Sequence, residues 1–251
     1  MSKGYTILFN GKELPDFIKV KSVSFQVLPA VNHQFLHIGS TGGVKTAAVN
    51  LGGKVFDVEV VLVKEHGRSL TELGIELSLW CAGNDFRLSK LIFTDDIAVA
   101  YDAVVTNNVE INDLLYAGEG TIQFTVPSGI ANRVEPTTVS SINGRANINY
   151  TGTAVAYPEI TFYPNTDRIN ESVAFYSVAN GTRVVITGDF IAGNPVVINC
   201  DKKVVSIGNS IALKMIQLET DWIYLQSGTH DTIVCSSNFG SFSVYYKENY
   251  I

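Results

Sequence analysis

From Thr182 to Ile251 the chain alternates short runs of β-branched and aromatic residues with turn dipeptides. The runs are Val184-Val185-Ile186, Val196-Val197-Ile198, Val204-Val205, Trp222-Ile223-Tyr224, Ile233-Val234 and Phe242–Tyr246. Between them lie Ala192-Gly193-Asn194-Pro195, Asp201-Lys202, Gly208-Asn209, Ser227-Gly228 and Asn238–Ser241, with Asn180-Gly181 ahead of the first. A helix needs apolar residues three or four apart over ten or more positions, and these runs are too short and too often broken to supply that. Short strands at near-even spacing with turn chemistry between them predict an antiparallel sandwich or barrel.

The first half reads differently. Strands are expected at Tyr5–Phe9, Phe17–Leu28, Lys54–Val63, Lys90–Phe93, Ile97–Val105 and Gly120–Val126. One helix is expected at about 69–82. Ser69-Leu70-Thr71-Glu72 is a capping box, and Leu70, Leu73, Leu77, Trp80 and Cys81 recur at helical spacing before Gly83 as the stop. Asn32–Gly53 holds five glycines (Gly39, Gly42, Gly43, Gly52, Gly53) and few large side chains after Phe35. It reads as a long loop: either a mobile hairpin or an arm that packs on a neighbouring copy, since glycine permits close backbone approach. Phe35, His37, Gly39, Gly42, Gly43, Val44, Leu51 and Gly52 are the subunit-interface candidates. From Pro127 to Gly144 the periodicity ends in PSGIANRVEPTTVSSING, so the domain boundary is expected near Pro136, giving domains 1–135 and 136–251. Ile211–Leu218 fits a strand pair better than a short helix, and Gly118-Glu119-Gly120 reads as a hairpin turn.

Composition excludes several classes of function. A net charge of −6 with no run of basic residues argues against a phosphate-gripping surface. With 46% apolar and 17% charged residues the chain is globular in balance, and no apolar stretch is long enough to span a bilayer. No leader follows Met1, so synthesis in the cytoplasm is expected. Three cysteines, Cys81, Cys200 and Cys235, form no CxxC pair and read as small buried hydrophobes.

The candidates for chemistry are thin. His33 and His37 lie too far apart on a strand to hold one ion, and no third ligand stands at useful spacing. Asp95-Asp96, with Asp102 beyond, could pair carboxylates, but adjacent aspartates after a strand more simply make a turn. No GxSxG, P-loop or GxGxxG is present. The expectation is a non-enzyme with no catalytic residue, metal or cofactor. Aromatics of the second half, Trp222 and Tyr224 among them, could form a sugar platform, although about half must enter the core of any sandwich.

The order of features over Tyr5–Ile251 resembles the siphophage distal tail protein family. The carriers are FNG at Phe9-Asn10-Gly11, the Asp16–Val20 segment, the capped helix, YPEITF at Tyr157–Phe162, NGTRVVI, GDFIAGNPVVINCDKKVV, the Ser206–Asn209 turn, DWIYLQSGTHDTI and SVYYKENYI. The resemblance implies a mainly β protein: an N-terminal β-sandwich-type domain with one α-helix, and a C-terminal galectin-like antiparallel β-sandwich. It also implies a homo-hexameric ring, single or as two stacked rings, at the tail tip of the virion. Implied partners are the tail-tube protein, tail-associated or tape-measure proteins, and receptor-binding or adsorption-apparatus proteins, with no specific nucleic-acid binding and no membrane. The second half has no long insertion of the kind that could serve as a gripping arm. The His-x-Asn-x-Arg set that galectins use for sugar is also missing, although Asn194-Pro195 is there. The alternative expectation is a carbohydrate-binding module adhering to the host cell wall.

Overall fold

The structure, a computed structural model, describes residues 6–37, 44–63, 68–107, 109, 111–114, 117–208 and 210–251. The chain divides into one unit of residues 1–134 with Ile251 and another of 135–250. Both are mainly β, as expected.

The first unit carries β1 (Ile7–Phe9), β2 (Lys12–Glu13), β3 (Ile18–Ser24), β4 (Val31–His37), β5 (Val44–Leu51), β6 (Lys54–Val63), α1 (Leu70–Ala82), β7 (Ser89–Phe93), β8 (Val99–Val105), β9 (Ile111–Leu114), β10 (Ala117–Val126) and β11 (Ala131–Arg133). Its main sheet runs β2-β1-β7-β8-β10-β6-β3, with β9 added to β10 and β11 to β8. Among the described residues, β4 and β5 pair only with each other. The longest ladder joins β6 to β10, from Lys54↔Val126 to Ala117↔Val63. Along β6 the alternation is strict: Phe56, Val58, Val60 and Leu62 are buried, while Asp57 and Glu59 lie on the opposite face, as in a sheet with one face covered.

Helix α1 shares the cover of that buried face with β7 and β8, whose Phe93 and Tyr101 rings lie 5.4 and 4.9 Å from Phe56. It starts where the sequence places it, because Ser69 Oγ accepts the Glu72 N–H and the Glu72 carboxylate accepts the Ser69 N–H. Leu73, Leu77, Trp80 and Cys81 are its buried residues. The Trp80 ring lies 5.6 Å from Phe9 and 6.2 Å from Phe124, and its Nε1–H donates to Lys12 O at 3.2 Å. Gly83 stops the helix at φ +57, where a Cβ would stand 2.7 Å from the Phe9 ring. No other residue type fits both conditions without displacing the core. The opening FNG motif has an equally local cause. Asn10 and Gly11 both take positive φ, 52° and 72°, and close the two-residue turn between β1 and β2.

The second unit carries β12 (Thr137–Ser140), β13 (Arg145–Asn149), β14 (Glu159–Pro164), β15 (Arg168–Ser177), β16 (Arg183–Phe190), β17 (Val196–Asn199), β18 (Val204–Ile207), β19 (Ser210–Ile211), a 3-10 turn at Leu213–Met215, β20 (His230–Cys235), β21 (Gly240–Tyr246) and β22 (Asn249–Tyr250). One sheet runs β12-β21-β14-β17-β18-β19 and the other β13-β20-β15-β16. A single core of side chains from both sheets joins them into a sandwich. Phe162 is fully buried in it, with ring centroids of Phe175, Phe190 and Phe239 at 5.9, 5.8 and 5.6 Å.

Within Asn32–Gly53, β4 and β5 form a hairpin, in line with one of the two readings of that segment. Three other sequence expectations are corrected here. Gly118-Glu119-Gly120 is not a turn; it lies inside β10, flanked by β6 and β9. Trp222–Tyr224 forms no strand, because side chains take over its backbone pairing: Asn180 Nδ2 donates to Tyr224 O at 2.7 Å, and only Asp221 and Leu225 make isolated bridges. Ile211–Leu218 is neither strand pair nor α-helix. β19 ends at Ile211, the 3-10 turn follows, and Ile216 makes one bridge to Ile186.

Candidate assembly surfaces

The β4–β5 hairpin stands on a pinned base. The Gly52 N–H donates to Ala30 O, and Gln26 Oε1 accepts the Val55 N–H at 3.0 Å. A Cβ at Gly52 would meet Ala30 Cβ at 3.1 Å, so glycine lets the two strands close tightly here. Above the base, pairing runs from Val31↔Leu51 to His37↔Val44 with a register shift between Gln34 and Phe35. Phe35 is 59% exposed and Leu36 61% exposed. As neighbours on a strand they point to opposite faces, so neither face of the hairpin is covered. The His33 ring stacks on Phe35 at 5.9 Å.

Of the eight interface candidates, five lie on described backbone: Phe35 and His37 on β4, Val44 and Leu51 on β5, and Gly52 just beyond. Gly39, Gly42 and Gly43 lie outside the described residues.

A second surface went unnoticed in the sequence. Beside α1 lies an apolar groove of about 580 Å³, lined by Leu62, Leu70, Ile75, Phe86, Val105 and Val109 among others. Ile75 is 58% exposed and Phe86 72% exposed. Ile75 and Leu79 lie four residues apart, off the stripe that meets the core. That spacing was the available signal for a second apolar face.

The groups proposed for chemistry are dispersed or quenched. Cys81, Cys200 and Cys235 are free and buried. Burial pushes their thiols up to about 11, 12 and 11 respectively, away from thiolate reactivity. Asp96 belongs to a turn: its N–H donates to Phe93 O, and its Oδ1 accepts the Ala98 N–H at 3.2 Å. Asp102 is held by Lys90 at 2.7 Å. His33 belongs to no metal-ligating group among the described residues. The second unit's aromatics split as alternation requires. Phe162, Phe175 and Tyr246 are buried, Trp222 and Tyr224 are half-buried, and Tyr157, Tyr163, Tyr176 and Tyr245 are exposed.

Residues 151–250 match the family described as siphovirus-type tail component, C-terminal domain. That match covers 100 of the 251 residues and places the second unit, not the whole chain, beside this family. The fold of the chain over its whole length is that of the SPP1 Dit protein (gp 19.1), whose crystal structure is described as a paradigm of the hub adsorption apparatus in phages infecting Gram-positive bacteria. The alignment has 14% identity, TM-score 0.81, and covers 99% of this chain and 100% of that one. Two structures of the activated phage p2 baseplate, with Ca and with Sr, align at 10% identity with TM-scores of 0.43 and 0.44. They cover 98% and 96% of this chain, and 98% and 97% of theirs. A comparison with curated protein sequences finds no match. The resemblance to the distal tail family is borne out by the family match over residues 151–250 and by the shared fold over the whole chain.

Proposed function

We propose that this chain is a distal tail protein that closes into a homo-hexameric ring at the tail tip and links the tail tube to the baseplate or adsorption apparatus. Residues 1–135 build the ring, and 136–251 form a galectin-like sandwich. The role is structural, with no catalytic step. The observation that carries this reading is the free β4–β5 hairpin. It exposes large apolar side chains on both faces and adds no strand to its own sheet. A two-stranded hairpin standing alone in water is marginal at best, so a partner surface that covers it accounts for its presence.

Contacts to the tail-tube protein above and to tail-associated and receptor-binding proteins around the ring complete the proposal, as does synthesis in the host cytoplasm. The exposed face of β3, β6 and β10 offers Lys21–Glu119 at 3.3 Å and Ser22–Glu59 at 2.7 Å, a charged surface of mixed sign with no basic cluster. Such a face suits a passage that does not grip nucleic acid.

Size-exclusion chromatography with light scattering tests the ring, and micrographs of particles labelled at the C-terminus test its place at the tail tip. A ring six times the 27.3 kDa chain is expected. A chain monomeric at every concentration, alone and with tail-tube protein, would sink the proposal.

A further inference from the structure

The outward face of the six-stranded sheet in the second unit has a composition that neither the sandwich core nor the ring uses. Three adjacent strands, β12, β21 and β14, turn only tyrosine, serine, threonine and one glutamate outward. On β14 these are Glu159, Thr161 and Tyr163. On β21 they are Ser241, Ser243 and Tyr245, and on β12 Thr138 and Ser140. The registers set them in rows. Ser140, Ser243 and Thr161 lie side by side, with Tyr245 beside Glu159 in the row on one side and Ser241 beside Tyr163 on the other. Tyr163 and Tyr245 therefore stand at diagonal corners of a patch of hydroxyls, their Cα atoms about 14 Å apart by strand rise and spacing. Tyr163 is 46% exposed and Tyr245 39%. Tyr157 extends the line two residues ahead of Glu159, and its ring lies 6.5 Å from Tyr224.

Three observations decide what such a face takes. Its hydroxyls are unspent: among the described residues, the side chains of Thr138, Ser140, Thr161, Ser241 and Ser243 form no hydrogen bond within the chain. On the outward face of the other sheet they do, Thr187 donating to Ser172 at 3.1 Å and Thr232 to Asn147 at 3.0 Å. The face also lacks a base. Glu159, which accepts from Asn199 Nδ2 at 2.9 Å, is the one charged group that the three strands turn outward, so a phosphate or carboxylate finds no cation there. Finally, polarity is ordered in reverse of a protein contact, whose apolar centre sits inside a polar rim. Here the hydroxyls hold the centre, the rings hold the corners, and the three strands turn no aliphatic side chain outward.

We propose that this face binds a neutral glycan, a short run of sugar residues lying from Tyr245 to Tyr163 across Ser243 and Thr161. A serine or threonine hydroxyl both donates and accepts, as a sugar hydroxyl does, and the Glu159 carboxylate accepts. A tyrosine ring offers its apolar face to the C–H side of a sugar ring while its own hydroxyl stays in water. The face is flat, not concave, so one copy holds its ligand weakly, with Kd about millimolar. The site belongs to the second unit alone and does not depend on the ring.

Ligand-observed NMR titration of the full chain tests this, with neutral hexasaccharides of glucose, mannose, galactose and N-acetylglucosamine as probes and polygalacturonate as the anionic one. At least one neutral probe should bind and the polyanion should not. Tyr163→Ala and Tyr245→Ala should each raise Kd about tenfold. Thr161→Val, which keeps the shape and removes the hydroxyl, should raise it about threefold or more. Tyr176→Ala, on the outward face of the other sheet, should change nothing. The melting transition of the second unit should stay in place in all four variants, and light scattering on the same samples reads the ring separately. No binding by any neutral probe at millimolar concentration overturns the proposal, as does binding that survives both tyrosine variants or is confined to the polyanion. If no sugar binds and the tyrosine variants fail to enter tails, the face is a protein contact and the glycan reading falls.

Discussion

The two units solve the problem of covering a β-sheet in opposite ways. In the second, two sheets face each other and share one core, so that Phe162, Phe175, Phe190 and Phe242 are all removed from water. In the first, one sheet curls so that Phe9 and Phe93 meet Phe124 and Phe56 from strands further along it, a 13-residue helix closes the same core, and apolar side chains are left over beside that helix and on the hairpin. A sandwich is complete in itself. A sheet with a short helical lid and a free hairpin is complete only when something else is added. The contrast supports the proposed division, with assembly in the first unit and a rigid display surface in the second.

Removal of the deepest ring is the strongest way to break this contrast. Phe162→Ala should cost about 3–5 kcal/mol, seen in calorimetry as loss or a large downward shift of the second unit's transition. Rings should still form at low temperature. If Phe162→Ala abolishes assembly while the sandwich remains folded, the division of labour is wrong. Trp80→Ala should cost a similar or slightly smaller amount, about 3–4 kcal/mol, in the first unit. It should also weaken assembly, because Trp80 seats the helix that forms one wall of the groove. Circular dichroism follows this variant, because the remaining tryptophan, Trp222, lies in the second unit.

Smaller effects sharpen the comparison. Ser69→Ala removes the helix cap and should lower stability by about 1 kcal/mol, measured by urea denaturation. Glu72 reports on the same cap by pH. The Ser69 backbone N–H and then its hydroxyl hold the Glu72 carboxyl below its ordinary value of 4.5. A depressed folded value means stability that is present above 4.5 and lost as pH falls below it through the folded value. The acid limb of a stability profile should therefore flatten slightly in Glu72→Gln, and no change in that limb would show the cap to be inert. Phe35→Ser should leave the melting temperature of the dilute monomer within the range of an ordinary surface change, about 0.5 kcal/mol, while reducing assembly. Loss of monomer stability from this substitution would mean that the hairpin packs on its own unit.

Much of the fold was legible because its causes are local. The helix is written in Ser69, Glu72 and Gly83. β6 shows in the two-residue alternation from Phe56 to Leu62, and the β1–β2 turn follows from Asn10-Gly11. Elements that depend on distant partners were misread. Gly118–Gly120 has turn composition, but β6 and β9 on either side hold it extended. Trp222–Tyr224 has strand composition, but Asn180 holds its backbone instead of a neighbouring strand. The glycines of Asn32–Gly53 suit a hairpin and a packed arm alike, and only the structure supplies the pairing from Val31↔Leu51 to His37↔Val44.

The assembly surfaces were half visible for the same reason. Phe35 was noted for its place beside a glycine-rich segment, but sequence does not tell an exposed phenylalanine from a buried one. Ile75 and Phe86 were missed entirely, since apolar residues on a helix and after it pass for core until the sheet beneath is seen.

What the sequence determined by itself is the β class of the chain and the position of its helix, because capping and alternation act over a few residues. Only the tertiary structure decided which apolar side chains remain in water, because that depends on whether residues far along the chain arrive to cover them.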